Sequence, residues 1–263
     1  MIYAKRGDEG LKVLAWQKFL TGQGFSPGRP DGKFGPKTET ATKEFQKKAG
    51  LKADGVVGDN TFAVARELAF KPPMEGDIDF SQVEDYTVRV PRPSKTNLPG
   101  ISGAGNDTMF NVLGVPGKKT VNCSNPTSDK LKNLLVIKNV GPFRVHGIRP
   151  AVDAVERVFA AVRQKLPVLY NQLGTEGMFC CRLVRGSNKN LSNHSWGTAI
   201  DIKVNNVLDK FNDGAVQLGT MALASFFNEE RFFWGAGFRR EDGMHFEASE
   251  ELIQDWHRNG AFG

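Results

Sequence analysis

The chain has 263 residues, 40% hydrophobic and 24% charged, with a formal net charge of +6 and three cysteines. That is enough apolar material for a full core and enough length for two domains, while the charge falls short of the basic extreme that marks a nucleic-acid binder. No run of about 18 apolar residues is present to span a membrane, and Met1 is followed by Lys5, Arg6, Asp8 and Glu9 rather than an apolar secretion signal, so synthesis and folding in the cytoplasm are expected. The positive excess is uneven: residues 1–70 hold 12 Lys/Arg against 8 Asp/Glu, the remainder 23 against 21. Three cysteines are too few and too odd in number for a disulfide framework, and the adjacent Cys180 and Cys181 point to opposite strand faces. Cys123, Cys180 and Cys181 are therefore read as reduced core residues.

In chain order, Leu11, Leu14, Trp16 and Leu20 form a first helical stripe. Asp31-Gly32-Lys33-Phe34-Gly35-Pro36-Lys37-Thr38 then recurs 23 residues later as Asp54-Gly55-Val56-Val57-Gly58-Asp59-Asn60-Thr61. Each copy carries turn chemistry and leads into a helix: Pro36 suits a first turn before Ala41, Phe45 and Ala49, and Phe62, Ala65 and Leu68-Ala69 follow the second copy. Three short helices around one small core are expected over residues 5–70. With Trp16-Gln17 and Phe45-Gln46 placed as they are around the Asp-Gly turns, this segment resembles the peptidoglycan-binding domain type 1. The resemblance implies bacterial peptidoglycan as partner, which suits the local positive excess. Because the repeat explains itself as turn and capping chemistry, it identifies a fold and not a sugar-contact residue.

Pro72-Pro73, Pro91, Pro93 and Pro99 mark a connector over 71–98, leaving 99–263 as a second domain. Residues 100–125 show no clear period. Leu134-Leu135-Val136-Ile137 reads as a buried strand. Pro150 opens a helix with Val152, Val155, Phe159, Val162 and Leu166 on one face, ended or kinked by Pro167. Met178 to Val184 reads as another strand, with Arg182 opposite Phe179, Cys181 and Leu183. Leu218 to Phe227 reads as helix, and Ser249 caps a last helix through about Arg258.

The densest chemistry lies in Ser192-Asn193-His194-Ser195-Trp196-Gly197-Thr198-Ala199-Ile200-Asp201 and, after Phe233-Trp234-Gly235, in Glu241-Asp242-Gly243-Met244-His245-Phe246-Glu247. His194, Asp201 and His245 offer two imidazole nitrogens and one carboxylate oxygen, a set that suits zinc and leaves a fourth position open to water. From Thr198 to Val204, Ile200, Ile202 and Val204 point one way and Asp201 the other. Met244 and Phe246 point inward while His245 and Glu247 share the opposite face. If these strands pair, Asp201 and His245 meet, with His194 at the strand entrance where Gly197 permits a close turn. A structural zinc site would need a fourth ligand, commonly cysteine, and none is placed nearby. Asp242, in the loop entering the His245 strand, can reach water at the metal, with Glu241 as the alternative carboxylate. Glu247 can either orient the His245 imidazole by a hydrogen bond or form a solvent-facing ion pair. The permanent charge of Arg182 suits an oxyanion or a substrate carboxylate. His146 and His257 lie outside both motifs and are read as structural or solvated.

Ser-x-His-x-x-Gly-x-Ala-x-Asp, followed by Trp-Gly and Asp-x-x-His-Phe, resembles the zinc peptidases of the D-alanyl-D-alanine carboxypeptidase family, which includes VanY-type carboxypeptidases and phage L-alanyl-D-glutamate endopeptidases. The resemblance spans roughly the last half of the chain. It implies Zn held by His194, Asp201 and His245, Asp242 as the catalytic carboxylate, Arg182 facing the scissile carbonyl and Ser192 contacting substrate. One departure is Cys180-Cys181 before Arg182, where many relatives have a Tyr-Arg pair. The implied architecture is α+β: a small three-helix N-terminal domain (1–70), a linker (71–98) and a C-terminal peptidase domain (99–263) with a mainly antiparallel sheet flanked by helices. The implied activity is that of a peptidoglycan hydrolase of endolysin type cutting the L-Ala–D-Glu bond. Alternatives are a D-Ala–D-Ala carboxypeptidase or a D-Ala–diaminopimelate endopeptidase of bacterial wall remodelling. A different class, a wall-binding structural component with a vestigial metal site, is disfavoured by retention of every ligand together with Asp242. A monomer acting in the periplasm or wall is expected, released by a holin-type partner if phage-encoded.

Overall fold

The computed structural model describes residues 2–72 and 78–263. They fall into two compact units: residues up to Phe80 with Val88–Pro91, and Ser81–Thr87 with Arg92–Gly263. Met1 and Pro73 lie outside the described residues.

The first unit has three helices, Leu11–Gly22, Pro36–Lys48 and Asp59–Glu67, with a two-stranded antiparallel ribbon of Ile2–Ala4 and Val57–Gly58 that the sequence patterns do not reveal. Trp16, Leu20, Phe45, Val57, Ala65 and Phe70 form its core, and the Trp16 indole N–H donates to Thr42 Oγ1 at 2.9 Å. The repeated Asp-Gly motif explains itself through two buried glutamines. Gln46 Nε2 donates to Asp54 Oδ1, the Val56 carbonyl and Thr61 Oγ1 at 2.9, 2.9 and 3.0 Å, while its Oε1 accepts from Gly55 N–H at 2.8 Å. Gln17 makes the same set with Asp31, Lys33, Thr38 and Gly32. Gly32 and Gly55 sit at φ +72° and +77°, where a side chain would be strained, so each turn needs its glycine.

The second unit is built on a four-stranded antiparallel sheet in the order Leu173–Gly177, Ala199–Val204, His245–Ala248, Phe232–Trp234. Helix Leu218–Glu229 packs on this sheet and on helix Arg149–Lys165. The latter buries Val152, Val155, Phe159 and Val162, the stripe the sequence predicts. Phe246 stacks on Phe227 with centroids 4.1 Å apart, fixing the inner face of the His245 strand. Ser249 caps helix Glu250–Arg258 by accepting from Leu252 N–H. The whole is α+β, with a helical first unit and an antiparallel sheet flanked by helices in the second.

Several local expectations are corrected. Leu135–Asn139 forms only a two-stranded hairpin with Arg144–Ile148, so it has an open face and Ile137 is exposed instead of buried. The strand expected over 178–184 lies earlier, at Leu173–Gly177; Gly177 at φ +109° follows a register shift and ends the pairing. Residues 178–184 form only isolated bridges, Ser124 with Cys181 and Leu183 with Leu191. The aperiodic region 100–125 contains helix Asn106–Leu113. The described part of the connector over 71–98 is ordered in places. Tyr86 is fully buried in the second unit, where its carbonyl accepts from Gly219 N–H, and the Asn97 side chain bonds Trp234 and Asn228. The cysteines are not all reduced, since Cys123 and Cys180 form a disulfide and only Cys181 is a free, buried thiol. The reason is the divergence of neighbouring side chains. With Cys181 in the core, Cys180 faces the turn that the Ser124–Cys181 bridge brings alongside, at a Cα–Cα distance of 5.0 Å from Cys123.

Gln46→Leu keeps the volume of the clamp but strands the buried groups it serves. A loss of about 1–3 kcal/mol is expected for the N-terminal unit in urea unfolding; an unchanged midpoint would show that the clamp is not what secures the repeat.

Candidate metal centre

His194 lies on a 3-10 turn, Asn193–Trp196, that feeds directly into the Ala199–Val204 strand. Its Nδ1–H donates to the Met178 carbonyl at 2.9 Å. That bond orients the ring and leaves Nε2, buried and without a hydrogen-bond partner, 3.2 Å from Asp201 Oδ1. Gly197, at φ +68°, closes the turn; a Cβ there would stand 2.8 Å from Gly147 Cα, so no larger residue fits. Trp196 anchors the turn from below by donating its indole N–H to the Gly114 carbonyl.

The antiparallel register places His245 opposite Asp201, and His245 Nδ1 lies 3.0 Å from Asp201 Oδ1. The three donor atoms of His194, Asp201 and His245 lie within 4.8 Å of one another, a group able to hold a metal ion. Two imidazoles and one carboxylate, one nitrogen being buried and unsatisfied, fit the donor preferences of zinc. Burial pushes the Asp201 carboxyl up, but the charges of His194 and His245 and the hydrogen bond with His245 overcome this and hold it well below its ordinary value. Burial likewise pulls His245 down, and its bonds to Asp201 and Glu247 overcome that and hold it well above the ordinary imidazole value.

Asp242 enters from the loop before the His245 strand. The Trp-Gly pair builds that loop: Asp242 N–H donates to the Gly235 carbonyl at 2.9 Å, and the Trp234 indole donates to the Gly243 carbonyl at 2.8 Å. A Cβ on Gly235 would meet Asp242 O at 2.7 Å. Asp242 Oδ1 is buried with no hydrogen-bond partner. Burial raises its pKa and the charge of Asp201 adds to this, while the charges of His245, His194 and Arg185 act the other way. Glu241, the neighbouring carboxylate, is turned away: its Oε1 accepts from Asp213 and Gly214 N–H and ties down that loop.

Arg182 and Ser192 support the His194 turn from behind. Arg182 N–H and carbonyl both bond Ser195 Oγ at 3.0 Å, its carbonyl accepts from Ser192 N–H, and its guanidinium donates to the Leu183 carbonyl. The arginine whose charge acts on Asp242 is Arg185, three residues on, in a turn before Gly186. Sequence reasoning passes over it because it lies outside the strand pattern; the Arg-Gly turn is the signal that could have found it.

Residues 9–64 match the family model described as "Putative peptidoglycan binding domain", and residues 185–248 match that of D-alanyl-D-alanine carboxypeptidase. His194, Asp201, Asp242 and His245 all fall within the second match. Among solved structures, the chain is similar to the SleB N-terminal domain, at 38% identity over 26% of this chain and 92% of that one, with a TM-score of 0.24. It is also similar to the L,D-transpeptidase (residues 123–326) from Xylanimonas cellulosilytica DSM 15894. That match has 38% identity over 29% of this chain and 37% of that one, with a TM-score of 0.25. Peptidoglycan-binding and peptidase modules in one chain support a peptidoglycan hydrolase acting on the cell wall. No helix among the described residues is long and apolar enough to cross a membrane.

The raised pKa of Asp242 has a stability consequence. Its contribution to folding is most favourable below the ordinary value of 3.8 and is lost as pH rises through the raised value, so at neutral pH the fold carries a disfavoured buried carboxylate. Asp242→Asn, stripped of metal, is expected to unfold at a higher temperature than the parent at pH 7, with the gap closing below 3.8. Equal melting curves at both pH values would remove the basis for calling Asp242 a strained functional carboxylate.

Proposed function

We propose that this protein is a zinc-dependent peptidoglycan hydrolase of endolysin type that cuts the L-Ala–D-Glu amide of the wall stem peptide. The observation that carries the reading is the buried, unsatisfied His194 Nε2 facing Asp201 and His245, with the orphaned Asp242 carboxylate alongside. Zinc held by His194, Asp201 and His245 supplies Lewis acidity and lowers the pKa of water toward about 7. Asp242 accepts the proton of the attacking water and returns it to the leaving amine, a transfer its raised pKa favours. Arg185, as well as Arg182, is a candidate to neutralise charge developing on the scissile carbonyl oxygen. Ser192, whose hydroxyl makes no hydrogen bond among the described residues, is available to a substrate backbone group.

The first 70 residues act as the wall anchor and raise the local concentration of an insoluble substrate. The Cys123–Cys180 disulfide suits an enzyme that works in an oxidising compartment such as the cell envelope.

Chelation is expected to abolish hydrolysis of purified sacculi, and mass spectrometry of the products from the parent enzyme should show new N-terminal D-Glu. A new free D-Ala or diaminopimelate terminus instead would reassign the bond, and absence of any turnover would favour a structural wall protein. Asp242→Ala should retain zinc and lose on the order of 10²–10⁴ in turnover, whereas His194→Ala should lose both. A fragment beginning at residue 78 keeps Tyr86. It should cleave soluble stem peptides at the parental rate but sacculi far more slowly; equal rates on sacculi would remove the anchoring role.

A further inference from the structure

The proposed ligands use opposite ring nitrogens. His194 faces the cluster with Nε2 and His245 with Nδ1. The backbone settles the first choice, because Met178 O takes the Nδ1–H of His194. Nothing in the backbone settles the second. The remaining nitrogen of His245, Nε2, lies 2.9 Å from Glu247 Oε2, two residues along the same strand and on the same face. Glu247 is 4% exposed. Its other oxygen, Oε1, accepts the Ala104 N–H at 3.1 Å, so the group cannot swing away without stranding a buried donor.

Ala104 belongs to a short segment that grips both arms of the centre. Its carbonyl accepts from the Asn193 side chain at 3.0 Å, next to His194 in sequence. Two residues on, the Asn106 side chain forms a two-way bond with the backbone of Leu191, at 2.8 and 2.7 Å. Segment 104–106 thus contacts the His194 turn through Asn193 and Leu191, and the His245 strand through Glu247. Gly103 leaves the necessary room: a Cβ there would stand 3.0 Å from Glu247 Oε1.

We propose that Glu247 is a positioning residue that takes the Nε2–H of His245, turns Nδ1 toward the metal, and, with segment 104–106, presets the distance between the two histidines. A buried carboxylate behind a metal-facing imidazole raises the basicity of the ring and fixes its tautomer, and loss of such a partner commonly weakens metal binding 10–100-fold. This rests on the zinc reading above and deepens it. A solvent-facing ion pair, the other reading open from sequence, is excluded by the burial of both groups.

The test is zinc affinity by competition with a chromophoric chelator on the full chain, for the parent, Glu247→Gln and Glu247→Ala. Thermal unfolding after metal removal serves as the folding control, and the Co²⁺ absorption spectrum as a report on ligand geometry. Glu247→Gln, which keeps an acceptor but loses the charge, is expected to bind zinc about 10–100-fold more weakly with a shifted Co²⁺ spectrum; Glu247→Ala is expected to be weaker still. Folded variants that bind zinc as tightly as the parent, with an unchanged Co²⁺ spectrum, would overturn the proposal. If Glu247→Ala fails to fold, Glu247→Gln decides alone. A parent that binds no zinc would instead overturn the zinc reading itself, so the two failures are distinguishable.

Discussion

One partly buried carboxylate, that of Asp201, sets the terms for the second unit. Its Oδ1 stands 3.2 Å from one imidazole and 3.0 Å from another, in a place where an unpaired charge would be costly. The groups that surround it therefore have to arrive together. The antiparallel register delivers His245, the 3-10 turn delivers His194, and both depend on close backbone passages at Gly197 and Gly235. Two indoles, Trp196 and Trp234, pin the loops from the apolar side through their N–H groups. Such a cluster is a weak source of stability and a strong source of geometry, as expected where a fold trades stability for chemistry.

The first unit solves a different problem with the same economy. Its helices are short, so turn conformation has to be imposed from outside the turn, and one buried glutamine per repeat does this by bonding the Asp side chain, two backbone groups and a threonine. Every atom named in the repeat is occupied within the fold. That is why the motif identifies the architecture so well and says so little about which surface touches the wall.

The legible parts of the sequence are those where a period or a cap acts alone. Alternation in Ala199–Val204 and around His245 separates Asp201 from the apolar face, and the observed register pairs the two residues. The stripe from Val152 to Val162 and the Ser249 cap are equally local. What the sequence hides is set by partners distant along the chain. The Cys123–Cys180 pairing needs the bridge between Ser124 and Cys181, and segment 104–106 has no period because its role is to satisfy groups some 85 to 143 positions away. The strand misplaced onto 178–184 shows the same effect. Its apolar alternation is genuine, but its backbone groups bond the His194 turn and the loop at 120–124 instead of a sheet neighbour.

If one ion joins the three side chains, its immediate surroundings are dictated by the arrangement around Asp201. X-ray absorption at the zinc edge of the zinc-loaded protein measures those surroundings directly. The account predicts a first shell of nitrogen and oxygen only, with the outer-shell signature of two imidazoles. A sulfur scatterer, which would implicate the free thiol of Cys181, or a bound zinc without imidazole scattering would contradict it.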